Sequence, residues 1–283
     1  MIALTKRNLK LYLRDRASVF FSLLSVIIII GLYVLFLGDI YTGDLSAFEN
    51  ARELMDTWVM GGVLAVTSVT TTMGILSNMV KDRETKIYKD FYVSPMKKSQ
   101  LSGGYLLSAY IIGVSMSLIA FVLSQVFIVT NGGQYLQTGS VIKILALILL
   151  ISLMNTAIVY VIVSFFQSLN AFSTASTVIG TLIGFVTGIY LPIGMYPEGA
   201  QWIIKLCPFS HAALLFRQVM MEDAMSRGFA GMPDDVVLEV KKELGIIYTF
   251  GKYTISFEHS LVILFICMLL FLFLAIFLQR KNS

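Results

Sequence analysis

Residues 259–278, HSLVILFICMLLFLFLAIFL, decide the fold class of this chain. The stretch contains no Asp, Glu, Lys or Arg, and almost every residue in it is apolar. A helix needs about 20 such residues to cross the hydrocarbon core of a bilayer, which is roughly 30 Å thick. We therefore predict that this stretch is a membrane-spanning helix.

Five other stretches have the length of a membrane span. Three are strongly apolar, at 18–37, 104–129 and 140–166. The other two are uncharged but less apolar, since 58–79 is rich in hydroxyls and 172–191 is rich in Ser, Thr and Gly. Backbone polar groups in lipid must be satisfied within the chain, so all six spans are predicted to be helices. The predicted fold class is all-α, a single polytopic membrane domain with six transmembrane helices.

Composition excludes several classes of protein. The chain is 57% hydrophobic and 13% charged, with a mean hydropathy of +0.82, whereas the exterior of a soluble globule must be largely polar. No G-x-x-x-x-G-K-[ST] sequence is present to hold nucleotide phosphates, and no arrangement typical of a hydrolase stands out. His and Cys residues do not have the spacing of a metal site. We expect no enzymatic activity, cofactor or metal in this chain.

The distribution of Lys and Arg predicts the orientation. The segments 1–17, 80–103, 167–171 and 279–283 together hold 13 Lys or Arg residues and 4 acidic residues. Basic segments remain on the cytoplasmic side of a membrane, so both termini are predicted to be cytoplasmic and 192–258 to lie outside.

Residues 1–17 form a basic segment that has two interpretations. One is a tail that only sets the topology of the first span. The other is an amphipathic helix along the inner membrane surface, which we favour because Ile2, Leu9 and Leu13 share one face at helical spacing.

The loop 80–103 is the most informative polar stretch. Ile87, Tyr88 and Phe91 fall on one side of a short helix that Pro95 ends. Such a helix either docks onto a cytoplasmic partner or is a solvated connector whose aromatic side chains lie on the lipid surface, and the residues alone leave both open.

Small residues recur every four positions in the fifth span, at Ser176, Gly180, Gly184 and Gly188. They fall on one helix face and permit close approach of another helix, either within the chain or in a second copy.

Three prolines, Pro192, Pro197 and Pro208, bracket an apolar stretch that is too short to span the membrane. Trp202 and Lys205 within it are residue types that anchor at the membrane interface. We predict an outer re-entrant or surface-lying helical hairpin that lines or caps something, because irregular backbone at membrane depth is tolerated only against protein or a wet cavity.

Taken together, these residues resemble the permease subunits of the type-2 ABC transporter family, which exports drugs, lipids and polysaccharides. The resemblance covers nearly the whole chain and rests on an ordered series of motifs: Arg14-Asp15-Arg16, Arg83-Glu84-Thr85, Ser94-Pro95-Met96, and then Pro197, Trp202, Pro208 and Arg217. The chain departs from the family at Lys86 and Ile87, where a small residue is often found.

The resemblance implies a multi-pass permease in the plasma membrane of a prokaryote. It would form a pathway with a second copy or a paralogue, contact membrane lipid, bind cytoplasmic ABC ATPase subunits that hold the ATP, and have no nucleic-acid partner. The residues implied to couple to the ATPase are Arg83, Glu84, Ile87, Tyr88, Phe91 and Tyr92. Those implied at the dimer seam or pathway are Thr67, Thr70, Thr71, Ser176, Gly180, Gly184 and Gly188, and those at the outer gate, within 192–208, are Pro192, Pro197, Trp202 and Pro208.

Two alternatives belong to other classes: a stand-alone ion-coupled carrier, and a membrane sensor or scaffold without its own transport. The spans carry no ionisable residue at the midplane, which argues against an ion-coupled carrier. Na⁺ held by backbone carbonyls remains compatible with the sequence.

Overall fold

The protein is mostly helical over the residues that the computed structural model describes, which are 1–37, 50–93, 97–251 and 253–281. In chain order the helices are α1 (Ile2–Arg14), α2 (Arg16–Leu32), α3 (Ala51–Glu84), α4 (Tyr88–Val93), α5 (Lys98–Thr130), α6 (Thr138–Val163), α7 (Leu169–Val186), α8 (Glu198–Leu206), α9 (Pro208–Met220), α10 (Glu222–Gly228), α11 (Asp234–Glu243) and α12 (Phe257–Lys281). The smaller elements are a π-helical turn (Tyr33–Leu37) after α2, a 3-10 turn (Ile193–Met195) before α8, and an antiparallel hairpin of β1 (Tyr248–Phe250) and β2 (Tyr253–Ile255) before α12.

Helix α3 is the centre of the fold. In its most apolar stretch 89% of the residues are buried, because α2, α5, α6, α7 and α9 all pack against it. In α7 and α12 the corresponding fraction is only 17%. Yet α12 is the most apolar of these helices, and α3 is one of the least apolar. The less apolar helix therefore lies inside the bundle, where protein rather than lipid surrounds it.

The buried hydroxyls of α3 are satisfied mainly by its own backbone. Thr67, Thr71 and Thr72 each donate a 2.7 Å hydrogen bond to the carbonyl four residues earlier. Between helices, Asn155 Nδ2 of α6 donates to Ser68 Oγ at 3.0 Å. A polar stripe can thus run through the core without an unpaired hydroxyl at these positions.

Among the residues that the structure describes, five helices, α3, α5, α6, α7 and α12, are long and apolar enough to cross a membrane. Helix α2 is shorter, and its most apolar part, Val26–Leu35, runs into the π-helical turn. Each predicted span overlaps one of these six helices, although the bounds differ; α3, for example, extends beyond the predicted 58–79 at both ends.

Helix α7 ends at Val186, short of the predicted 191. Gly188 takes a φ of +67°, a backbone conformation that glycine adopts at little energetic cost. Its N–H donates to the Phe185 carbonyl at 3.0 Å. The N–H of Ile189 donates to the Gly184 carbonyl at 3.1 Å. These two bonds are those of a Schellman motif, which closes the helix.

The segment after α7 folds back onto the bundle. Prolines start two of its helices, with Pro197 as the N-cap of α8 and Pro208 as the first residue of α9. Helix α9 is buried along most of its length against α3, α6 and α12. Helix α11, in contrast, has no buried residue.

Candidate functional site

Three helices are joined at one end of the bundle through the carboxylate of Asp82, in the last turn of α3. Arg7 of α1 donates to both oxygens, from Nη1 to Oδ2 at 2.7 Å and from Nη2 to Oδ1 at 2.8 Å. The Tyr105 hydroxyl of α5 donates to Oδ2 at 2.5 Å. The Asp82 side chain is only 4% exposed, and its hydrogen bond raises the pKa of Arg7 above the ordinary value. We call Arg7, Asp82 and Tyr105 the Arg7 clamp.

The next two residues of α3 hold the connection between α6 and α7. Arg83 Nη1 donates to three backbone carbonyls at the C-terminal end of α6, the closest being that of Ser164 at 3.0 Å. Glu84 Oε1 accepts from the backbone N–H of Leu169, the first residue of α7, at 3.3 Å. The backbone dipoles of a helix stabilise a cation at its C-terminus and an anion at its N-terminus. Both predicted coupling residues therefore have partners within the chain.

Helix α4 is attached to the Arg7 clamp. A turn separates it from α3, and Lys86 in that turn has a φ of +61°, in the left-handed region. The guanidinium of Arg7 lies 5.5 Å from the centroid of the Phe91 ring, within cation–π range. One arginine thus contacts both the end of α3 and the short helix that follows it.

The other predicted coupling residues lie around α4. Ile87, Tyr88 and Phe91 are half-buried rather than fully exposed. The side chain of Tyr92 and residues 94–96, which include the predicted helix-ending proline, lie outside what the structure describes. The exposed side of the turn and of α4 is polar and consists of Thr85, Lys86, Lys89 and Asp90.

An open cleft of about 500 Å³ lies between α2, α3 and α7. Among the predicted pathway residues, Thr70, Ser176 and Gly180 line it. Ser176 Oγ is buried and has no hydrogen-bond partner among the described residues. The remaining lining is uncharged and consists of Leu24, Ile28, Ile29, Val66, Thr177, Thr181 and Tyr190. Such a surface is suited to uncharged or amphipathic groups.

The other predicted seam residues face the protein interior. Thr67 and Thr71 are fully buried in the core. A Cβ on Gly184 would collide with the ring of Tyr190, so the close approach at this position is made within the chain. Gly188 ends α7. The stripe of small residues is therefore divided, and only Ser176 and Gly180 reach the cleft.

The predicted gate prolines sit at the starts of elements at the opposite end of the bundle from the Arg7 clamp. Pro192 is buried before the 3-10 turn, while Pro197 and Pro208 begin α8 and α9. Trp202 is 53% exposed on α8, and its ring and that of Phe250 pack in a T-shaped arrangement with the centroids 4.9 Å apart.

Arg217 of α9 is fully buried, and sequence patterns did not indicate its contacts. Its guanidinium carbon lies 4.2 Å from the centroid of the Trp58 ring. Nε donates to the Trp58 carbonyl at 3.3 Å, and Nη2 donates to the Gly188 carbonyl at 3.2 Å. Burial lowers the pKa of Arg217 to about 10, so the group is still a cation at neutral pH. The Gly61-Gly62 pair near the start of α3 is the sequence signal that could have indicated this close approach.

Glycines on α3 make room for this arginine. A Cβ on Gly61 would lie 2.9 Å from Arg217 Cγ, and one on Gly62 would lie 3.1 Å from Nη2. The contact ties α9 to α3 and to the end of α7. It is the counterpart of the Arg7 clamp at the other end of the bundle.

A model of the ABC-2 type transporter family matches residues 1–221, more than three quarters of the chain. The chain belongs to this family. It is accordingly a permease of the ABC transporter class and a multi-pass membrane protein. No match to a curated protein was found. The matched part of this ABC-2 permease contains the Arg7 clamp, α4, the cleft and Arg217, whereas α10 to α12 lie beyond it.

Proposed function

We propose that this permease is the membrane subunit of an ATP-driven exporter, that it forms the translocation pathway as a dimer, and that separate cytoplasmic subunits bind and hydrolyse ATP. The observation that carries the proposal is the attachment of α4 to the Arg7 clamp at the end of α3. A short helix held in this way can pass a displacement from a docked ATPase to the central helix of the bundle.

The contacts of Arg7, Arg83 and Glu84 favour movement of several helices as one body. Through them, α1, α3, α5 and the α6–α7 connection are bonded to one another near α4. Closure of the ATPase subunits on α4 would then move these helices together, as in other rigid-body transitions.

The proposed topology has six spans with both termini in the cytoplasm, in the plasma membrane of a prokaryote. Helix α2 and the π-helical turn form the first span, and the five longer apolar helices form the others. The excess of Lys and Arg in 1–17 and 80–103 supports this orientation, which puts α4 on the cytoplasmic side. The segment 192–208, which contains α8 and the first residue of α9, then lies at the outer face, where we propose that it forms a re-entrant gate.

Helix α7 is the proposed dimer seam. It is as little covered as α12, but it is far less apolar and presents the exposed hydroxyls of Thr174, Thr177 and Thr181. A helix in contact with lipid is expected to be strongly apolar, as α12 is. A second copy or a paralogue is therefore the proposed neighbour of α7, and the adjoining cleft is the proposed pathway for an amphipathic cargo.

Co-purification with the full-length chain tests the proposal. The affinity-tagged permease is expected to bring down a protein with a nucleotide-binding P-loop whose ATPase activity it stimulates. Tyr88→Glu on α4 should abolish stimulation, because it adds a charge where the ATPase would dock. Tyr135→Glu is the matched control, since Tyr135 is 73% exposed in the connection between α5 and α6, at the other end of the bundle.

Three outcomes would contradict the proposal. Normal association and stimulation in Tyr88→Glu would remove the docking role of α4. Ion-driven transport in liposomes by the purified permease without ATP would favour a stand-alone carrier. ATPase coupling that no cargo alters would favour a sensor or scaffold.

A further inference from the structure

Helix α1 has three faces with different chemistry. The first is buried against the bundle and consists of Leu4, Thr5, Asn8 and Tyr12. The second is apolar but open, with Ile2 76% exposed and Leu13 58% exposed. The third is basic and lies between the open apolar face and Arg7. A helix that only packed against protein would not need an apolar face that nothing in the described chain covers.

The basic face forms an open groove of about 390 Å³. Its lining contains no acidic residue and consists of Ala3, Lys6, Arg7, Lys10, Leu11 and Arg14. The charge of Arg7 is already balanced by Asp82. Lys6, Lys10 and Arg14 follow one another at intervals of four, so they form a row along the helix. In the part of the chain that the structure describes, these three cations have no ion-pair partner.

We propose that Lys6, Lys10 and Arg14 bind the phosphate groups of anionic phospholipids while Ile2 and Leu13 enter the acyl region beside them. A phospholipid is the ligand that presents a phosphate and an apolar chain side by side. Interfacial helices bind membranes through this combination of buried apolar area and attraction to anionic lipid.

The connection to α2 supports a lipid rather than a protein as the occupant. Helix α1 ends at Arg14 and α2 begins at Arg16, so a single residue separates the basic row from α2, the proposed first span. With α2 as a span, the C-terminal end of α1 lies at the membrane boundary, where phosphate groups are concentrated. Assignment to the inner leaflet rests on the proposed orientation of the permease, but binding itself does not.

The site also adjoins the Arg7 clamp. Arg7 lines the same groove beside the basic row and contacts both Asp82 and Phe91. Anionic lipid at the basic row would hold α1 in the position that keeps this clamp closed. Lipid composition is thus coupled to the position of α4.

The test measures lipid binding by the purified full-length chain in detergent micelles, by native mass spectrometry during titration with phosphatidylglycerol or phosphatidylcholine. This measurement needs neither an ATPase nor a defined orientation, so it fails or succeeds independently of the proposed function. Wild type is expected to prefer phosphatidylglycerol, and the preference should weaken as salt rises. The triple variant Lys6→Gln, Lys10→Gln, Arg14→Gln should lose the preference, by about fivefold per cation removed and on the order of 100-fold if the contributions add.

The controls distinguish lipid binding at the basic row from nonspecific attraction by positive charge and from binding of a soluble phosphate. Lys86→Gln, Lys89→Gln, Lys97→Gln removes the same charge from exposed lysines outside the basic row but at the same end of the bundle, and should keep the preference. The charge-conserving double variant Lys6→Arg, Lys10→Arg should also keep the preference for phosphatidylglycerol. This double variant is measured in place of the triple variant if the triple variant fails to fold. Millimolar glycerol 3-phosphate should not compete; equal competition would show a soluble phosphate site and overturn the lipid assignment. No preference in wild type, or a preference unchanged in the triple variant, would overturn the proposal and leave this face to a protein partner.

Discussion

A double-mutant cycle on the Arg7 clamp measures what its ion pair contributes to the free energy of unfolding. The cycle compares Arg7→Gln, Asp82→Asn and the double variant with wild type. In Arg7→Gln the carboxylate of Asp82 stays almost fully buried, with the Tyr105 hydroxyl as its remaining partner in the clamp. In the double variant the clamp contains no charge, so part of the lost stability should return.

The pair Lys143–Glu222 supplies the reference for the magnitude. Both pairs have an N–O distance of 2.7 Å, but the side chains of Lys143 and Glu222 are 50% and 49% exposed, against 32% for Arg7 and 4% for Asp82. Exposed pairs couple by about 0.2–1 kcal/mol. Removal of one partner from a fully buried pair costs about 3–5 kcal/mol. Because Arg7 is partly exposed, we expect Arg7→Gln to lower the free energy of unfolding by about 2–3 kcal/mol. The coupling energy between Arg7 and Asp82 should be about 2 kcal/mol.

The assay is unfolding of the purified full-length chain in mixed micelles, followed by circular dichroism at several denaturant concentrations. The same cycle with Lys143→Gln and Glu222→Gln is run in parallel, and its coupling energy should stay below about 1 kcal/mol. A coupling energy for Arg7–Asp82 no larger than that of the reference pair would refute the view that burial makes the clamp strong.

Two further predictions concern the other end of the bundle. Gly61→Ala should destabilise the protein by about 1 kcal/mol. Crowding against the backbone of Arg217 costs about 1–3 kcal/mol, and the higher helix propensity of Ala offsets about 1 kcal/mol of this cost. Gly31→Ala, with no atom within 4 Å of the new Cβ, should be neutral or stabilising in the same unfolding assay, and equal effects of the two changes would contradict the packing argument. Burial lowers the pKa of His211 below 6.5, and its Nε2–H donates to the Lys205 carbonyl at 2.9 Å. The unfolded state then binds more protons below pH 6.5, so the stability present above that pH should fall as the pH drops through it. Thermal unfolding from pH 7.5 to 5.5 checks this, and an unchanged pH slope in His211→Asn would rule it out.

Membrane helices were the part of the fold that the sequence predicted best, because hydropathy is a local property. The stretch 259–278 lies inside α12, and 104–129 lies inside α5. Ends of helices were predicted less well. From the sequence alone, the helix could either continue through Gly188 or end just before it. The hydrogen bonds of the folded chain show that the helix ends before it.

The short helix α4 was predicted from the sequence, but its contacts were not. Aromatic spacing identified α4 and Phe91, yet the side that Phe91 faces is set by Arg7, which is distant along the chain. Arg7 and Asp82 are 75 positions apart, and no helical or strand period links residues at that separation. The same limit applies to Arg217 and Gly61, because contacts between helices depend on how the helices cross.

The burial of α3 also has a consequence for how the protein is made. A hydroxyl-rich helix partitions from the translocon into lipid less readily than a strongly apolar one, and the partners that cover α3, apart from α2, are synthesised after it. Much of the contact that shields Thr67, Thr71 and Thr72 becomes possible only once α5 and α6 have emerged from the ribosome. Stable insertion of α3 is therefore a cooperative event of biogenesis, in which helices made later retain one made earlier.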